Sequence, residues 1–572
     1  MEILVKNIVL PFDAPQEYAL RQAKQTLGQI LCRDITSGGH IYKKSVDARK
    51  RSAIKFVYTA SVDADFTAAE LETLKSAGYE TLIDEDYAPP KPGIEPLTAR
   101  PVVVGFGPCG MFCALTLARS GYRPLVLERG SDVEARGAAV ERFIKTGILD
   151  TETNVQFGAG GAGTFSDGKL VTRINDPACR YILKTLHSFG APEEILTSAK
   201  PHIGTDRLRA VVAAVRDEIV RLGGEIVFGC KVERFISDSS GKVTAVECVD
   251  SENKTLSFEC GTIVLATGHS ARDVYAYLAS DDFAFLTKPF SVGARIEHLR
   301  ADIDRALFGD FAGDPRLGAG EYAFSKHWDN GAPNRADTLQ HNDTLQRSDP
   351  LRCSEAVYTF CMCPGGEVIA AASEEGGVVT NGMSVMARNG VNSNAALVAS
   401  VDPAPGKPLD AVEFQRNLER AAFASARGGE YYAPCQTVGD FIDGKSGTPP
   451  TRIKPSYRGG CVVMRDLCTI LPRDVTGRMR EGILAFDRSL RGFAARDALL
   501  TGVETRTSAP LRIIRGDDFT APGHANVYPC GEGAGYAGGI TSAAADGLHT
   551  AEKIIARYKP AGCEDAGIRL GR

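Results

Sequence analysis

The hydrophobic pattern of the N-terminal region predicts alternating strands and helices. Short apolar runs predict four strands, at 3–10, 42–45, 54–60 and 80–83. Two longer stretches with helical spacing predict helices at 14–27 and 68–77. The order strand, helix, strand, strand, helix, strand is typical of a ferredoxin-like α+β sandwich. We therefore predict a small domain over residues 1–95, which a proline-rich linker separates from the rest of the chain.

Beyond the linker, an apolar strand at 100–104 leads directly into a glycine triplet, Gly105-x-Gly107-x-x-Gly110. A helix-like stretch follows, and then a second strand that ends in Glu128, 18 residues after Gly110. In this order Gly105 makes the turn, Gly107 lets a phosphate approach the backbone, and Gly110 lets the helix pack on its strand. The acid at the end of the second strand binds ribose hydroxyls. The pattern predicts a dinucleotide-binding site. It does not distinguish NAD from FAD, because both contain ADP.

A run at 157–170 contains too much glycine for an ordinary helix or strand. It predicts a loop that wraps a flat or anionic group. A flexible linker is the alternative, although Phe165 and Leu170 would then be exposed.

Several later segments complete the predicted nucleotide-binding domain. They are a helix at 207–222, a strand at 225–235, a hairpin over 242–259, and two apolar strands that end in Ala266-Thr267-Gly268 and Gly531-Glu532-Gly533. With these segments the chain resembles flavoproteins of the glutathione reductase structural type. Its motifs at 163–170, 266–273, 360–366, 371–376 and 531–539 are more specifically similar to an uncharacterised bacterial family of FAD-dependent dehydrogenases.

The resemblance implies an α/β fold with FAD as cofactor. A Rossmann-type FAD-binding domain would consist of two segments, 98–285 and 496–572, with an α+β cap or substrate domain inserted at 286–495. By the same resemblance, Val232 would hold adenine through its backbone and Glu532 would face the ribityl chain. The expected FAD-binding residues are Gly105, Gly107, Pro108, Cys109, Gly110, Glu128, Arg129, Gly161, Gly163, Thr164, Phe165, Ser166, Val232, Ala266, Thr267, Gly268, Gly531, Glu532, Gly538, Gly539 and Ile540.

The predicted cap contains no second glycine triplet that follows a strand. A separate NAD(P)H-binding domain is therefore not expected. NAD(P)H would bind transiently against the flavin as a reductant, or not at all.

The cap segment 358–373 predicts a hairpin whose turn is Pro-Gly-Gly at 364–366. Cys361 and Cys363 would share one face of its first strand, too far apart for an unstrained disulfide. We predict that both are small packed residues, with a thiol poised at the flavin as the alternative, and their spacing predicts no metal site. Lys169 and Glu374 are further catalytic candidates, because a lysine or an acid over the flavin could move the proton that accompanies hydride transfer.

Composition limits the partners that we expect. The 572 residues carry a formal net charge of −5, which argues against a general polyanion binder. A basic hairpin at 43–51 leaves an RNA-associated flavoprotein as an alternative, although a solvated edge or a dock within the same protein is the commoner role of such a hairpin. Fifteen scattered cysteines, no signal peptide and no long apolar run predict a reduced cytoplasmic protein that does not enter a membrane.

Taken together, the sequence predicts an FAD-dependent oxidoreductase that transfers hydride between FAD and a small organic substrate enclosed under the cap. A flavin monooxygenase is a further alternative. A redox partner is compatible with this function, and binding of nucleic acid is not expected from the net charge.

Overall fold

A computed structural model describes residues 1–82, 87–328, 355–403, 408–426 and 430–560 of the chain. Within these ranges, no helix is both long and apolar enough to cross a lipid bilayer. Every cysteine in the described part of the chain is a free thiol.

The N-terminal module is a four-stranded antiparallel sheet with two helices. Its elements are β1 (Glu2–Pro11), α1 (Glu17–Leu31), β2 (Gly39–Asp47), β3 (Lys55–Asp63), α2 (Ala68–Ser76) and β4 (Glu80–Leu82). The strand order β2-β3-β1-β4 confirms the predicted ferredoxin-like sandwich. Helix α1 buries Ala19, Ala23 and Leu27 against the sheet, which is the four-residue spacing of one helix face. The predicted end of the last strand, at 83, lies outside the described residues.

The second module is built on a parallel sheet. Its elements are β5 (Glu95–Pro96), β6 (Pro101–Val104), α3 (Pro108–Arg119), β7 (Leu125–Glu128), α4 (Val133–Thr146), α5 (Ala178–Ser188), α6 (Thr205–Arg221), β8 (Glu225–Phe228), β9 (Cys230–Ser237), β10 (Val243–Asp250), β11 (Thr255–Glu259), β12 (Thr262–Leu265), α7 (Arg272–Ser280) and β13 (Phe285–Thr287). The end of the chain adds β23 (Leu511–Ile513), β24 (Val527–Pro529), α12 (Ile540–Arg557) and β25 (Tyr558–Lys559). The five-stranded order β24-β12-β6-β7-β8 confirms the Rossmann-type architecture.

We predicted one strand at 225–235, but the structure divides this segment into β8 and β9. Gly229 separates them with a φ of 64°, in the left-handed region that glycine adopts without strain. Strand β8 pairs with β7 in the parallel sheet, whereas β9 joins the antiparallel sheet β11-β10-β9. The chain therefore leaves the main sheet at this glycine.

The cap is a seven-stranded, mainly antiparallel sheet with helices. Its elements are β14 (Phe290–Leu299), α8 (Arg300–Phe308), β15 (Ser325–Trp328), β16 (Glu355–Cys363), β17 (Glu367–Ala370), β18 (Thr380–Met383), β19 (Asn392–Val401), α9 (Pro408–Ala424), β20 (Ala433–Thr437), α10 (Val438–Asp443), β21 (Val462–Met464), α11 (Arg473–Ser489) and β22 (Leu499–Glu504). The large sheet has the order β15-β16-β19-β14-β22-β20-β21. Strand β14 lies at its centre, and all its residues except Leu299 are buried.

The hairpin that we predicted around 364–366 does not form. Strand β16 pairs with β15 and β19, while β17 pairs with β18 in a separate small sheet. The pairing of β16 shifts register between Phe360 and Cys363, and Cys361 has a φ of 44°. This bulge interrupts the alternation of side chains between the two faces of the strand. The prediction that Cys361 and Cys363 share one face depended on that alternation and is wrong.

The basic hairpin of the N-terminal module contacts the parallel-sheet module. The backbone N–H of Lys44 donates to the Thr197 carbonyl at 2.8 Å, and the Lys44 carbonyl accepts from Ala199 at 2.9 Å. The Arg180 guanidinium lies 5.0 Å from the ring centre of Tyr42. Part of the hairpin is therefore an internal docking surface.

Candidate active site

A large cleft lies between the parallel-sheet module and the cap. It contains about 1530 Å³ of empty space, a volume that includes the part open to solvent. One end is lined by the turn at 105–110, which we name the phosphate loop. The other end, which we name the cap end, is lined by Phe360, Cys361, Asn381 and Glu504. An extended ligand could therefore reach from the phosphate loop to the cap sheet.

The phosphate loop places the start of helix α3 at the cleft. Gly107 is the residue before the helix, and Pro108 occupies its first turn. The first amides of a helix have no partner within the helix and attract an anion. A Cβ at Gly110 would lie 1.9 Å from the Gly105 carbonyl oxygen, whereas a Cβ at Gly107 would have the Gly161 Cα as its nearest neighbour, at 3.7 Å. Gly110 is thus required for packing, and Gly107 leaves space on the cleft side.

Glu128 fixes the phosphate loop against the glycine loop at 157–170. Its carboxylate accepts hydrogen bonds from the backbone N–H groups of Phe106 at 2.7 Å, Gly130 at 2.9 Å and Gly158 at 2.9 Å. The side chain is 5% exposed and still lines the cleft. A carboxylate has about four acceptor positions, so three amides leave it able to accept from a ligand hydroxyl.

Arg136 of α4 holds the other side of the glycine loop, and sequence reasoning missed it. Its guanidinium is fully buried and donates to the carbonyl oxygens of Asn154, Val155, Gly158 and Ala159 at 2.6–3.2 Å. Burial lowers the pKa of Arg136 to about 9. The sequence signal was weak, because an arginine in an amphipathic helix normally faces solvent.

The structure brings most of the predicted FAD-binding residues to the cleft. Those in its lining are Gly105, Gly107, Pro108, Cys109, Glu128, Arg129, Gly161, Gly163, Ser166, Val232, Ala266, Thr267, Gly268, Glu532, Gly539 and Ile540. Gly110, Thr164, Phe165, Gly531 and Gly538 are not part of the lining. Phe165 is instead buried between the guanidinium groups of Arg136 and Arg209, whose central carbons lie 4.8 and 4.5 Å from its ring centre.

Among the predicted catalytic residues, Lys169 lines the cleft within a balanced group of charges. Its Nζ lies 3.3 Å from a carboxylate oxygen of Asp167 and 3.3 Å from one of Glu321. Arg388 pairs with the same two acids. Burial opposes the ammonium form, but Glu321 and Asp167 outweigh it and raise the pKa of Lys169. Lys169 therefore keeps its proton at neutral pH.

The two cysteines differ in position. Cys361 lines the cleft, whereas Cys363 is 1% exposed and lies outside the lining. Burial raises the pKa of Cys361, and it raises the pKa of Cys363 to about 12. Both are therefore protonated thiols at neutral pH, and a thiolate is disfavoured at either position.

Glu374 lies outside the cleft lining, in a group of ion pairs between the two modules. At its centre is Glu419 of α9, which is 1% exposed and lies 2.7 Å from Arg272 of α7 and 2.8 Å from Arg506. Glu374 pairs with Arg272 at 2.7 Å and with Arg416 at 3.0 Å. Sequence reasoning missed Glu419 and Arg506, since no motif connects residues so distant in the chain. This arrangement joins the cap to the parallel-sheet module.

Cys109 lines the cleft and also packs against Cys530, which supports the phosphate loop. Its Sγ lies 2.8 Å from the Sγ of Cys530, and both thiols are buried. Ligand atoms of Cys109, Cys530 and Asp546 lie within 4.8 Å of one another. Burial raises the pKa of both thiols, so the protonated forms favoured here are poor metal ligands.

The residues of the cleft fit a dinucleotide that carries a flat ring system. Free helix amides meet the expected pyrophosphate, and Glu128 has remaining acceptor capacity for a ribose. Val232 and Val274 add apolar surface to the lining, and Glu532 and the start of α12 also line the cleft. The positive end of the α12 dipole would favour negative charge on a ring placed there.

Comparisons with known proteins agree with this fit. Residues 289–507 match a family model described as "FAD-dependent protein, C-terminal domain-like", and residues 3–63 match a domain of unknown function. An "Uncharacterized protein" from Clostridium beijerinckii is 42% identical over 563 residues, covering 98% of this chain and 99% of the relative.

Two solved structures give weaker similarity. A glycerol-3-phosphate dehydrogenase from Bacillus halodurans complexed with FAD is 12% identical, with 80% of this chain and 64% of that chain covered and a TM-score of 0.31. A flavoprotein/dehydrogenase from Cytophaga hutchinsonii is also 12% identical, with coverage of 79% and 76% and a TM-score of 0.33.

We predict opposite effects for alanine at two glycines of the phosphate loop. Gly110→Ala should destabilise the fold, because its Cβ would meet the Gly105 carbonyl oxygen at 1.9 Å. Gly107→Ala should keep the melting temperature of the apoprotein and weaken FAD binding, since its methyl group would occupy space at the cleft. Thermal unfolding of both apoproteins measures their melting temperatures, and FAD titration measures their affinities for the cofactor. Equal loss of stability in the two variants would contradict the assignment.

We also predict that Glu419→Gln lowers the free energy of unfolding by about 3–5 kcal/mol, because it leaves buried arginines without their carboxylate. Glu413→Gln is the matched control on the same helix, since Glu413 is half exposed and pairs with Arg416 and Arg420. The control should cost about 1 kcal/mol or less. Chemical denaturation compares the two, and similar costs would show that the buried pairs do not stabilise the contact between modules.

Proposed function

The chain and its Clostridium beijerinckii relative belong to one family, and residues 289–507 match a model of FAD-dependent proteins. With FAD as its cofactor, we propose that the protein is a dehydrogenase or reductase of a small organic substrate. The observation that carries the proposal is the continuity of the cleft. It extends from the phosphate loop to the cap end. Lys169, Cys361, Asn381 and Glu504 provide polar groups in its lining. The cap sheet covers this end and would exclude water from a substrate held there.

Bound FAD would supply a two-electron acceptor and donor. The protein's own residues would have three tasks. The phosphate loop and Glu128 hold the ADP portion, so the ring portion extends toward the cap. The ion pairs of Glu419 keep the cap in place over the cleft. The paired charges around Lys169 orient a polar substrate without leaving a net charge of their own.

Anaerobic titration tests the reaction class. We expect purified protein to be yellow, and its visible absorbance should bleach when its physiological reductant is added. NADH, NADPH and a panel of small alcohols, amines and acids are the first candidates. Bleaching by a nicotinamide would identify the donor, whereas bleaching only by an organic compound would identify the substrate. Oxygen consumption coupled to substrate hydroxylation would instead indicate a monooxygenase, and protein that binds no FAD would contradict the proposal.

We predict that Lys169→Met lowers the midpoint potential of the bound flavin. The substitution removes a positive charge from the cleft and leaves Asp167 and Glu321 less compensated, so reduction becomes less favourable. A shift on the order of 30 mV corresponds to about 1.4 kcal/mol for two electrons. Redox titration against reference dyes measures it.

Lys200→Met is the matched control for this prediction. Lys200 also pairs with Glu321, at 3.5 Å, but its side chain is 54% exposed and it does not line the cleft. Its loss should change the potential much less, because solvent screens its charge. Equal shifts in the two variants, or an unchanged potential in Lys169→Met, would contradict a position of Lys169 beside the flavin.

A further inference from the structure

A buried carboxyl group lies at the cap end of the cleft and has no role in the contacts described above. Glu504 is the last residue of β22, it is 3% exposed, and it is part of the cleft lining. Its Oε2 atom is buried and has no hydrogen-bond partner. Buried polar atoms in proteins are nearly always satisfied, so such an atom in a cleft requires an explanation.

Arg295 of β14 is the charged neighbour of Glu504, and the two are only loosely paired. The Nε of Arg295 lies 3.7 Å from Oε2 of Glu504, beyond hydrogen-bond distance, and this Nε also has no hydrogen-bond partner. The two terminal nitrogens of the guanidinium are directed at the Cys361 carbonyl oxygen, each at 3.2 Å. Arg295 therefore attracts Glu504 through charge without engaging its carboxylate in the two-bond geometry of a structural pair.

A second buried acid in the same sheet shows the contrast. Glu297 of β14 is fully buried, and its Oε1 accepts hydrogen bonds from Asn392 at 3.0 Å and from the Ser456 hydroxyl at 2.5 Å. Glu297 does not line the cleft. It is a satisfied structural acid, whereas Glu504 combines an unpartnered oxygen with access to the cleft.

The surroundings of Glu504 favour exchange of a proton near neutral pH. Burial raises its pKa to about 7, and Arg295 opposes part of this rise. Cys361 also lies within electrostatic range of Glu504 and stays a thiol, and Arg506, two residues further along the chain, turns to Glu419. A group whose pKa is close to the working pH can both accept and donate a proton.

Other titratable groups of the cleft are less suited to this task. Lys169 keeps its proton because of its two acids. The Nε2 of His269 lies 3.1 Å from the Arg506 carbonyl oxygen, to which it can only donate, so it cannot accept a proton there. The Nδ1 of His269 lies 3.5 Å from Glu532, which is not one of the residues of the cap end.

We propose that Glu504 is a catalytic residue that takes a proton from the substrate, and that the substrate carries an O–H or N–H on the carbon that is oxidised. This inference rests on the proposed function. When such an alcohol or amine is oxidised, its C–H leaves with two electrons as hydride to the FAD. Its O–H or N–H leaves as a proton, which converts the Glu504 carboxylate to the carboxylic acid, and a C=O or C=N bond forms. The reverse reaction returns both hydrogens.

Infrared difference spectroscopy of the FAD-loaded protein tests the inference without a substrate. The carboxylic-acid C=O band should include one component that disappears with a midpoint near pH 7 in the wild type. Glu504→Gln should lose this component, and Glu297→Gln, the matched control, should retain it. Glu504→Asp is the second variant, in which a titrating band should persist with a shifted midpoint.

Thermal unfolding against pH supplies an independent readout. The pKa of Glu504 is raised in the folded state from 4.5 to about 7, so the wild type should lose stability relative to Glu504→Gln as pH rises across that interval. Once a substrate is known, Glu504→Gln should reduce the rate of flavin reduction about 100-fold or more.

A titrating band that remains in Glu504→Gln, or a wild type without any band that titrates between about pH 5.5 and 8.5, would overturn the inference. A protein that binds no FAD would instead contradict the proposed function, and this result is distinct from the two above. An FAD-loaded protein with an unchanged band in Glu504→Gln would thus reject Glu504 and leave the oxidoreductase proposal standing.

Discussion

The cleft depends on how Glu128 holds two glycine loops together. A single buried carboxylate accepts hydrogen bonds from the backbone amides of Phe106 and Gly158, and thereby joins the phosphate loop to the glycine loop at 157–170. Charge-assisted hydrogen bonds of this kind are about twice as strong as neutral ones. Arg136 satisfies the carbonyl groups on the opposite side of the same loop. A segment rich in glycine, which has a high entropy cost of ordering, thus becomes a defined wall of the cleft.

Three of the groups of buried charge in the described residues have different tasks. Glu419 and its arginines connect the cap to the parallel-sheet module. The group around Lys169 contains two acids and two bases in close contact and fixes the charge of that wall. Glu504 and Arg295 are the exception, because their pairing is long and leaves one polar atom of each without a hydrogen bond. Two groups therefore stabilise structure, and the third retains a carboxyl that can change its charge.

Local signals predicted the order of elements in the N-terminal module and in the parallel sheet, but the end of the cap at 495 was wrong, because β22 (Leu499–Glu504) pairs with β14 in the cap sheet. The order of short elements in the N-terminal module and the strand, glycine and helix sequence at 100–120 depend on near neighbours in the chain. The cap was harder, since its strands pair at long range and β16 contains a bulge at Cys361 that no periodicity reveals. Glu504, Glu419 and Arg136 were missed for the same reason: each acquires its role from residues distant in sequence. Glu374 was predicted as a catalytic candidate, but the sequence could not show that its partners are the arginines between the modules.

A crystal structure of the FAD-loaded protein would show whether one cleft holds the cofactor from the phosphate loop to the cap. We expect electron density for the pyrophosphate at the amides of 105–110, for the adenosine ribose at Glu128, and for the flavin ring at the cap end within reach of Lys169 and Glu504. Density with the flavin ring at the phosphate-loop end, or FAD bound outside this cleft, would contradict it.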